Sequence, residues 1–175
     1  PMVYDLRGCD TVEFSRENVF RFNADTAFIM DGMYSGGEME LRSADGERHL
    51  VWFLVPDEGV PAWNDSAIDF SYRCNSVEDA DHSLCVDGQV TSDPTIPVLW
   101  YTPHLVYIEN QSVGSPDSSG NYTYDDLYGQ VYAGSVVFQN RLDLQFDIVS
   151  VPGEILFIPG DPGFDVQLLS KREVP

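Results

Sequence analysis

The alternation of apolar and polar residues with a period of two is the feature that most restricts how this chain folds. In Arg141–Ile148 every second residue is apolar and the residues between them are polar, as in a strand with one face in water. Phe164–Leu168 repeats the alternation, whereas Leu50–Val55 is apolar throughout and predicts a strand covered on both faces. No window of about 11 residues has apolar residues at helical spacing without glycine, proline or β-branched clusters, so almost no helix is expected.

Glycine-centred turn signals separate the apolar runs. Asp45 and Gly46 lie between Glu38–Arg42 and His49–Val55, which predicts a β-hairpin. The predicted strands span residues 2–6, 11–14, 18–23, 26–31, 37–43, 48–55, 67–73, 97–109 (with a possible break at Pro103), 129–139, 141–150, 153–158 and 164–169. Many short strands without an internal repeat predict an all-β, single-domain β-sandwich over residues 1–175, of jelly-roll topology with about 8–12 strands. A closed up-and-down barrel is the main alternative.

The charge of the chain indicates where it works. There are 29 acidic residues against nine basic ones, of which Lys171 is the single lysine, and the formal net charge is −20. In molar salt the Debye length falls to about 3 Å, so dense carboxylates stop repelling one another at range and hold hydrated cations instead. The apolar stem of lysine would add adhesive surface under these conditions. We therefore predict that the source is a halophile or a virus of one, with hydrated salt cations as partners. The alternative is an ordinary acidic surface.

The same charge excludes several classes of function. Phosphate contacts need lysine and arginine, so direct nucleic-acid binding is disfavoured, as is binding to anionic membrane surfaces. No apolar run approaches the roughly 20 residues of a membrane span. The chain begins Pro1-Met2-Val3 without a signal peptide, so we expect no export through a cleaved signal.

Three cysteines leave at least one without a partner in the same chain. Cys74 and Cys85 bracket a short acidic segment and could form a disulfide, which would add about 2–3 kcal/mol of stability. Cys9 could then cross-link neighbouring subunits. The alternative is three unbridged thiols.

No motif indicates catalysis, a metal or a cofactor, and we predict none of them. The acidic cluster Glu78–Asp81 with Asp87 does not follow a calcium-loop pattern. His104 with Glu109 is the nearest approach to a cupin-type metal set. Nothing in the sequence selects a carboxylate pair of the kind that glycosidases use.

Aromatic residues in polar loops are better candidates for a functional surface. Tyr122, Tyr124 and Tyr128 lie in or beside the Ser-, Gly- and Asn-rich stretch Asn110–Asp126, and Trp63 lies in a second loop. Tyrosine in such surroundings suits protein contact or stacking on glycans. We predict a contact surface built from these four residues.

A single all-β domain with lysine reduced to Lys171 and a start at Pro1 resembles the single-jelly-roll major capsid proteins of icosahedral, internal-membrane viruses of halophilic archaea. The resemblance is one of type and covers the whole chain. It implies a structural virion protein and not an enzyme. Such a subunit is made in the host cytoplasm and assembles in high salt, through loops and sandwich edges, with copies of itself and a related capsid protein. The shell it forms overlies the viral membrane.

Two other functions remain open at this stage. A carbohydrate- or protein-binding β-sandwich module of a halophile cell-surface protein would expose aromatic residues around Trp63 or Tyr122–Tyr128. An enzyme on a β-sandwich or cupin-like barrel would need a metal bound by an inward cluster of His49, His104 or carboxylates.

Overall fold

The computed structural model describes residues 1–15, 17–56, 73–109, 126–139 and 142–150, and these residues are almost entirely strand. Their helical content is one 3-10 turn, Glu78–Ala80. For the described residues, the prediction of many strands and almost no helix is therefore confirmed. The strands, numbered in chain order, are β1 (Met2–Asp5), β2 (Thr11–Phe14), β3 (Asn18–Phe22), β4 (Thr26–Ile29), β5 (Gly32–Ser35), β6 (Met39–Ser43), β7 (Val51–Leu54), β8 (Leu84–Val86), β9 (Val90–Ser92), β10 (Val98–Ile108), β11 (Asp126–Phe138) and β12 (Asp143–Phe146).

All pairings between these strands are parallel, and the chain winds as a coil. β1 pairs with β4 and β4 with β7, β2 pairs with β5 and β5 with β8, and β3 pairs with β6 and β6 with β9. Because each strand pairs with the strand three places later, every turn adds one strand to each of three sides. Side 1 begins with β1, side 2 with β2 and side 3 with β3.

The later strands are longer and join two of the sides. The first part of β10 pairs with β7 on side 1 and its last part with β8 on side 2, and β11 follows β10 along both. β12 pairs with the start of β11. Sides 1 and 2 thus form one nine-stranded sheet that curves as a half-barrel, and side 3 is a separate three-stranded sheet. The register of β10 against β11 shifts between Thr102 and Leu105, around Pro103.

The predicted jelly-roll sandwich is wrong, and so is the hairpin at Asp45-Gly46. A jelly roll is built from antiparallel strands, whereas the described residues contain a single antiparallel contact, an isolated bridge between Gly32 and Asp81. β6 and β7 do not pair, because Gly46 (φ +81°) lies in a turn that carries the chain from side 3 to side 1. The alternation of apolar and polar residues shows which face of a strand is buried. An antiparallel sandwich and a parallel coil give the same alternation, so this pattern does not distinguish them.

The coil contains a structural repeat that the sequence does not reveal. Met2 pairs with Thr26 and Thr26 with Val51, so these turns take 24 and 25 residues. The next equivalent position is Val98, 47 residues further on. Repeats are recognised in a sequence by a fixed period. Here the turns differ in length and equivalent positions carry different residue types, so no fixed period is present.

Inward-facing residues of successive turns stack in columns. On side 1, Tyr4 stacks on Phe28 and Phe28 on Phe53, each at 5.2 Å between ring centroids, and Phe53 stacks on Trp100 at 4.9 Å. Parallel strands lie about 4.8 Å apart, which is near the separation of offset-stacked rings. Inward residues of all three sides meet in one core, including Met33, Leu84 and Val106 from side 2 and Met39, Leu41 and Val90 from side 3.

Truncating the middle of the aromatic column should destabilise the whole coil. Phe53→Ala removes a fully buried ring with aromatic neighbours on both sides, and we expect the free energy of unfolding to fall by about 3–5 kcal/mol. Urea denaturation in high salt measures this loss. Val19→Ala, on the exposed face of β3, is the control and should change stability by no more than about 0.5 kcal/mol. Equal effects of the two substitutions would contradict the column.

Candidate functional site

The first end of the coil exposes positions that are buried in the middle turns. Tyr4 occupies the same column as Phe53, yet it is 44% exposed whereas Phe53 is fully buried. Met2, which shares a column with Val51, is also exposed. Every residue of β1 is exposed. Among the described residues β1 pairs only with β4, so one edge of this strand is open for pairing.

The other end is open in the same way. Val136 and Phe138 continue the columns of the buried Val106 and Ile108, but they are 44% and 38% exposed. β12 covers only Asp126–Gly129 of β11, so the second half of β11 has no further described strand beyond it.

β12 itself adds more apolar surface to this end. Phe146 pairs with Gly129 in the column of Val98, and it is 74% exposed because glycine offers no side chain on which its ring could stack. Leu144, which pairs with the buried Leu127, is 40% exposed. Within the strand predicted over residues 141–150 the structure forms β12 alone, and of the apolar face expected to be buried Leu142 packs against the core whereas Leu144, Phe146 and Ile148 are exposed.

A salt bridge fixes the open strand in place. Both Arg48 guanidinium nitrogens Nη1 and Nη2 donate to the Asp147 carboxylate, at 2.7 and 3.1 Å. These bonds lower the pKa of Asp147. Phe146 is exposed on a strand that is positioned by its pairing with β11 and, next to it, by this bidentate contact between half-exposed side chains.

A polar cavity lies where side 3 meets the start of β11. It has a volume of about 330 Å³, and Tyr128, from the predicted contact surface, lines it. The backbone N–H of Tyr128 donates to Ser92 Oγ at 2.9 Å, which attaches β11 to the end of β9. The other lining residues supply mainly carboxylate and hydroxyl oxygens: Glu40, Thr91, Ser92, Asp93, Pro94 and Asp126.

The outward surface of side 2 is covered by a disulfide-closed segment. Cys74 and Cys85 form a disulfide, and both are fully buried. Cys74 and Ala80 pack with Tyr34, Cys85 and Tyr107 in an apolar cluster separate from the main core. Cys9 is an exposed free cysteine, so its role between subunits stays a prediction.

Beside this cluster two acidic residues are neighbours across the sheet. Asp87 N donates to Ser35 O and Glu109 N donates to Val86 O, both at 2.8 Å, so the ladder of side 2 continues one residue past β8 and β10. Burial raises the pKa of Asp87 and the neighbouring Glu109 raises it further, whereas the hydrogen bond from Tyr34 and the charge of Arg73 lower it. Tyr107 Oη donates to Glu109 Oε2 at 3.0 Å. Burial, followed by this contact, raises the pKa of Tyr107.

The remaining candidates are the other residues of the predicted contact surface and the three histidines. Tyr122, Tyr124 and Trp63 lie outside the described residues. The rings of His82 and His104 stack at 5.5 Å, while His49 contacts Asp45 elsewhere. The described ranges contain no group of three or more His, Cys, Asp or Glu residues that could hold a metal ion.

Comparison with known proteins identifies no relative: no family model, curated protein or solved structure matches this chain. Within the part of the chain that the structure describes, no helix has the length and apolar character that crossing a membrane requires.

Removing the disulfide should weaken the fold by a measurable amount. It links residues 11 apart, and closing such a short loop stabilises a protein by about 2–3 kcal/mol. The double substitution Cys74→Ser and Cys85→Ser should lower the free energy of unfolding by this amount in urea denaturation. Cys9→Ser replaces an exposed thiol and serves as the control. If the double variant were as stable as the control, the disulfide would add nothing to stability.

Proposed function

We propose that this chain is a structural protein whose copies assemble end to end through the open turns of the coil. The observation that carries this proposal is the exposure of inward columns at both ends, by Tyr4 at one and by Phe146 at the other. Contiguous exposed apolar surface on a positioned strand is typical of protein–protein contact.

The direction of the strands supports association between copies of the same chain. Because the sheets are parallel throughout, β1 of one copy can extend the edge presented by β11 and β12 of the next with the same strand direction. The exposed inward residues of the two ends, Met2 and Tyr4 against Val136, Phe138 and Phe146, would then continue the existing columns. Such a contact joins two different surfaces and therefore builds rings or open stacks.

The charge of the chain makes this assembly dependent on salt. Two copies with a formal charge of −20 each repel one another at low ionic strength, and molar salt screens that repulsion. Salting-out ions also strengthen apolar burial.

The setting that we propose is the shell of a virus of a halophile, with a related shell protein as the partner. The acidic composition and the near absence of lysine support it. The chain forms a parallel coil and not the jelly roll expected for such a subunit. The support for a shell protein is therefore its composition and its open ends. It needs no catalytic residues.

Light scattering across a salt series tests the end-to-end contact. Between about 0.2 M and 4 M NaCl, a range that takes charge screening from weak to nearly complete, we expect the wild-type mass to rise to several copies. Phe146→Asp should abolish the rise, because it places a charge in the open column. Val19→Asp adds the same charge at an exposed outward position and should assemble normally. A monomer at every salt concentration, or equal assembly of both variants, would contradict the proposal.

The cavity beside Tyr128 favours a second function, the binding of a polyhydroxylated ligand such as a glycan. Carboxylates and hydroxyl groups around one aromatic residue provide acceptors and donors for sugar hydroxyls, with apolar surface beside them. This arrangement corresponds to the binding-module alternative, although on a different fold.

A glycan array followed by titration calorimetry tests the second function. Tyr128→Ala should weaken binding of any glycan found by at least about tenfold, equivalent to about 1.4 kcal/mol. Tyr132→Ala, at an exposed position on the same strand, is the matched control and should bind normally. No binding by the wild type would eliminate the glycan site.

A further inference from the structure

The polar cavity beside Tyr128 is bounded by acidic side chains from three parts of the coil. Glu40 lies on β6, Asp93 directly follows β9, and Asp126 begins β11. All three are half-buried, and none of the described residues that line the cavity is an arginine, lysine or histidine. Arg42, two residues further along β6, donates to Glu40 from its guanidinium group and compensates this one charge.

The other two carboxylates have neutral donors in the part of the chain that the structure describes. Asp93 accepts from the backbone N–H of Ser43 at 3.3 Å, and Asp126 accepts from the side-chain amide of Gln145, also at 3.3 Å. A neutral N–H satisfies an oxygen lone pair but brings no positive charge. The cavity therefore keeps the formal negative charges of Asp93 and Asp126, and it favours a ligand that carries a positive charge.

A buried hydroxyl group on the same wall requires an acceptor. Ser92 is 7% exposed, and its Oγ accepts from the backbone N–H of Tyr128 at 2.9 Å. A serine hydroxyl also has one hydrogen to donate, and this hydrogen has no acceptor among the described residues. Because a buried donor without an acceptor is costly, the site favours a ligand that brings an oxygen to Ser92 as well as a positive charge.

The remaining features of the cavity favour an organic cation over a metal ion. The described residues contain no group of three or more His, Cys, Asp or Glu residues that could hold a metal. Tyr128 is half-buried on the cavity wall, and the face of an aromatic ring attracts a cation and also packs against apolar surface. An ammonium group has three hydrogens to donate to carboxylates.

We propose that this cavity binds an amino sugar with a free, protonated amine, an inference that rests on the glycan-binding function proposed above. The ammonium group pairs with the uncompensated carboxylates of Asp93 and Asp126, a hydroxyl oxygen of the sugar accepts from Ser92, and the sugar ring packs on Tyr128. Sugars that carry a carboxylate or a sulfate are disfavoured by the same two charges.

Titration calorimetry with two trisaccharides tests the preference for a positive charge. The trimer of glucosamine carries a protonated amine on each ring at mildly acidic pH, whereas the trimer of N-acetylglucosamine carries an uncharged acetamide there. At about 1 M NaCl the Debye length is about 3 Å, so the general attraction of cations to an acidic protein is screened. The wild type should bind the amine form about tenfold more tightly, because an ion pair and a cation–π contact together contribute about this much.

Neutral substitutions assign the preference to the cavity. Asp93→Asn and Asp126→Asn together remove both charges and keep the oxygens that accept from Ser43 and Gln145. This double variant should bind the two trimers with affinities within about twofold of each other, since the ion pairs are lost. Asp10→Asn, the same change at an exposed position in the turn between β1 and β2, is the matched control and should keep the wild-type preference.

Each outcome separates the cationic ligand from the glycan site itself. Equal binding of both trimers by the wild type, a comparison that needs no variant, would overturn the cationic ligand and leave the glycan site in place. A preference for the amine form that persists in the double variant would reflect the acidic surface as a whole and would also overturn it. Binding of neither trimer would eliminate both.

Discussion

The parallel register between strands three places apart in the chain is the constraint on which the rest of the structure depends. It places Tyr4, Phe28, Phe53 and Trp100 in one column although they belong to four different turns. Each inward side chain is then buried by the turn before it and the turn after it, as in other proteins that stack in one dimension. Burial is consequently complete in the middle and incomplete at the first and last turns, and this is where association is possible.

Parallel pairing also affects how the outward faces of the sheets are covered. Strands in parallel sheets are commonly covered on both faces, and here Trp52 and Leu54 face outward from β7 but are buried with Val149. Side 2 is covered by the segment that the disulfide closes. Side 3 differs, because Val19 is exposed and Arg42 forms an ion pair with Glu40 on its outer surface. This difference explains the two sequence patterns. β7, which is covered on both faces, is apolar throughout, whereas β6, whose outer face is open, alternates between apolar and polar residues.

Most strand positions could be predicted from the sequence, although β5, β8 and β9 lie outside every predicted strand, and the neighbours of each strand could not be predicted. The predicted strands over residues 18–23, 26–31 and 97–109 contain β3, β4 and β10. Strands can be recognised in this way because the pattern of apolar residues reflects which faces of a strand are buried. Pairing depends on contacts between distant residues, which alternation does not encode. Asp87 and Glu109 become neighbours through the register of Val86 against Ile108. In the sequence, Asp87 belongs with the acidic cluster and Glu109 with His104. Nothing there indicates that the two carboxyl groups are neighbours.

Charge repulsion is relieved in two independent ways in this molecule. Repulsion between copies acts through solvent across exposed carboxylates, so dissolved salt screens it. Asp87 lies beside Glu109 in a partly buried site where dissolved ions screen poorly, so burial and the neighbouring carboxylate raise its pKa while Tyr34 and Arg73 lower it. Dissolved salt therefore acts mainly on the charges at the exposed surface of the coil, and the electrostatics of this partly buried site are set by the protein groups around it.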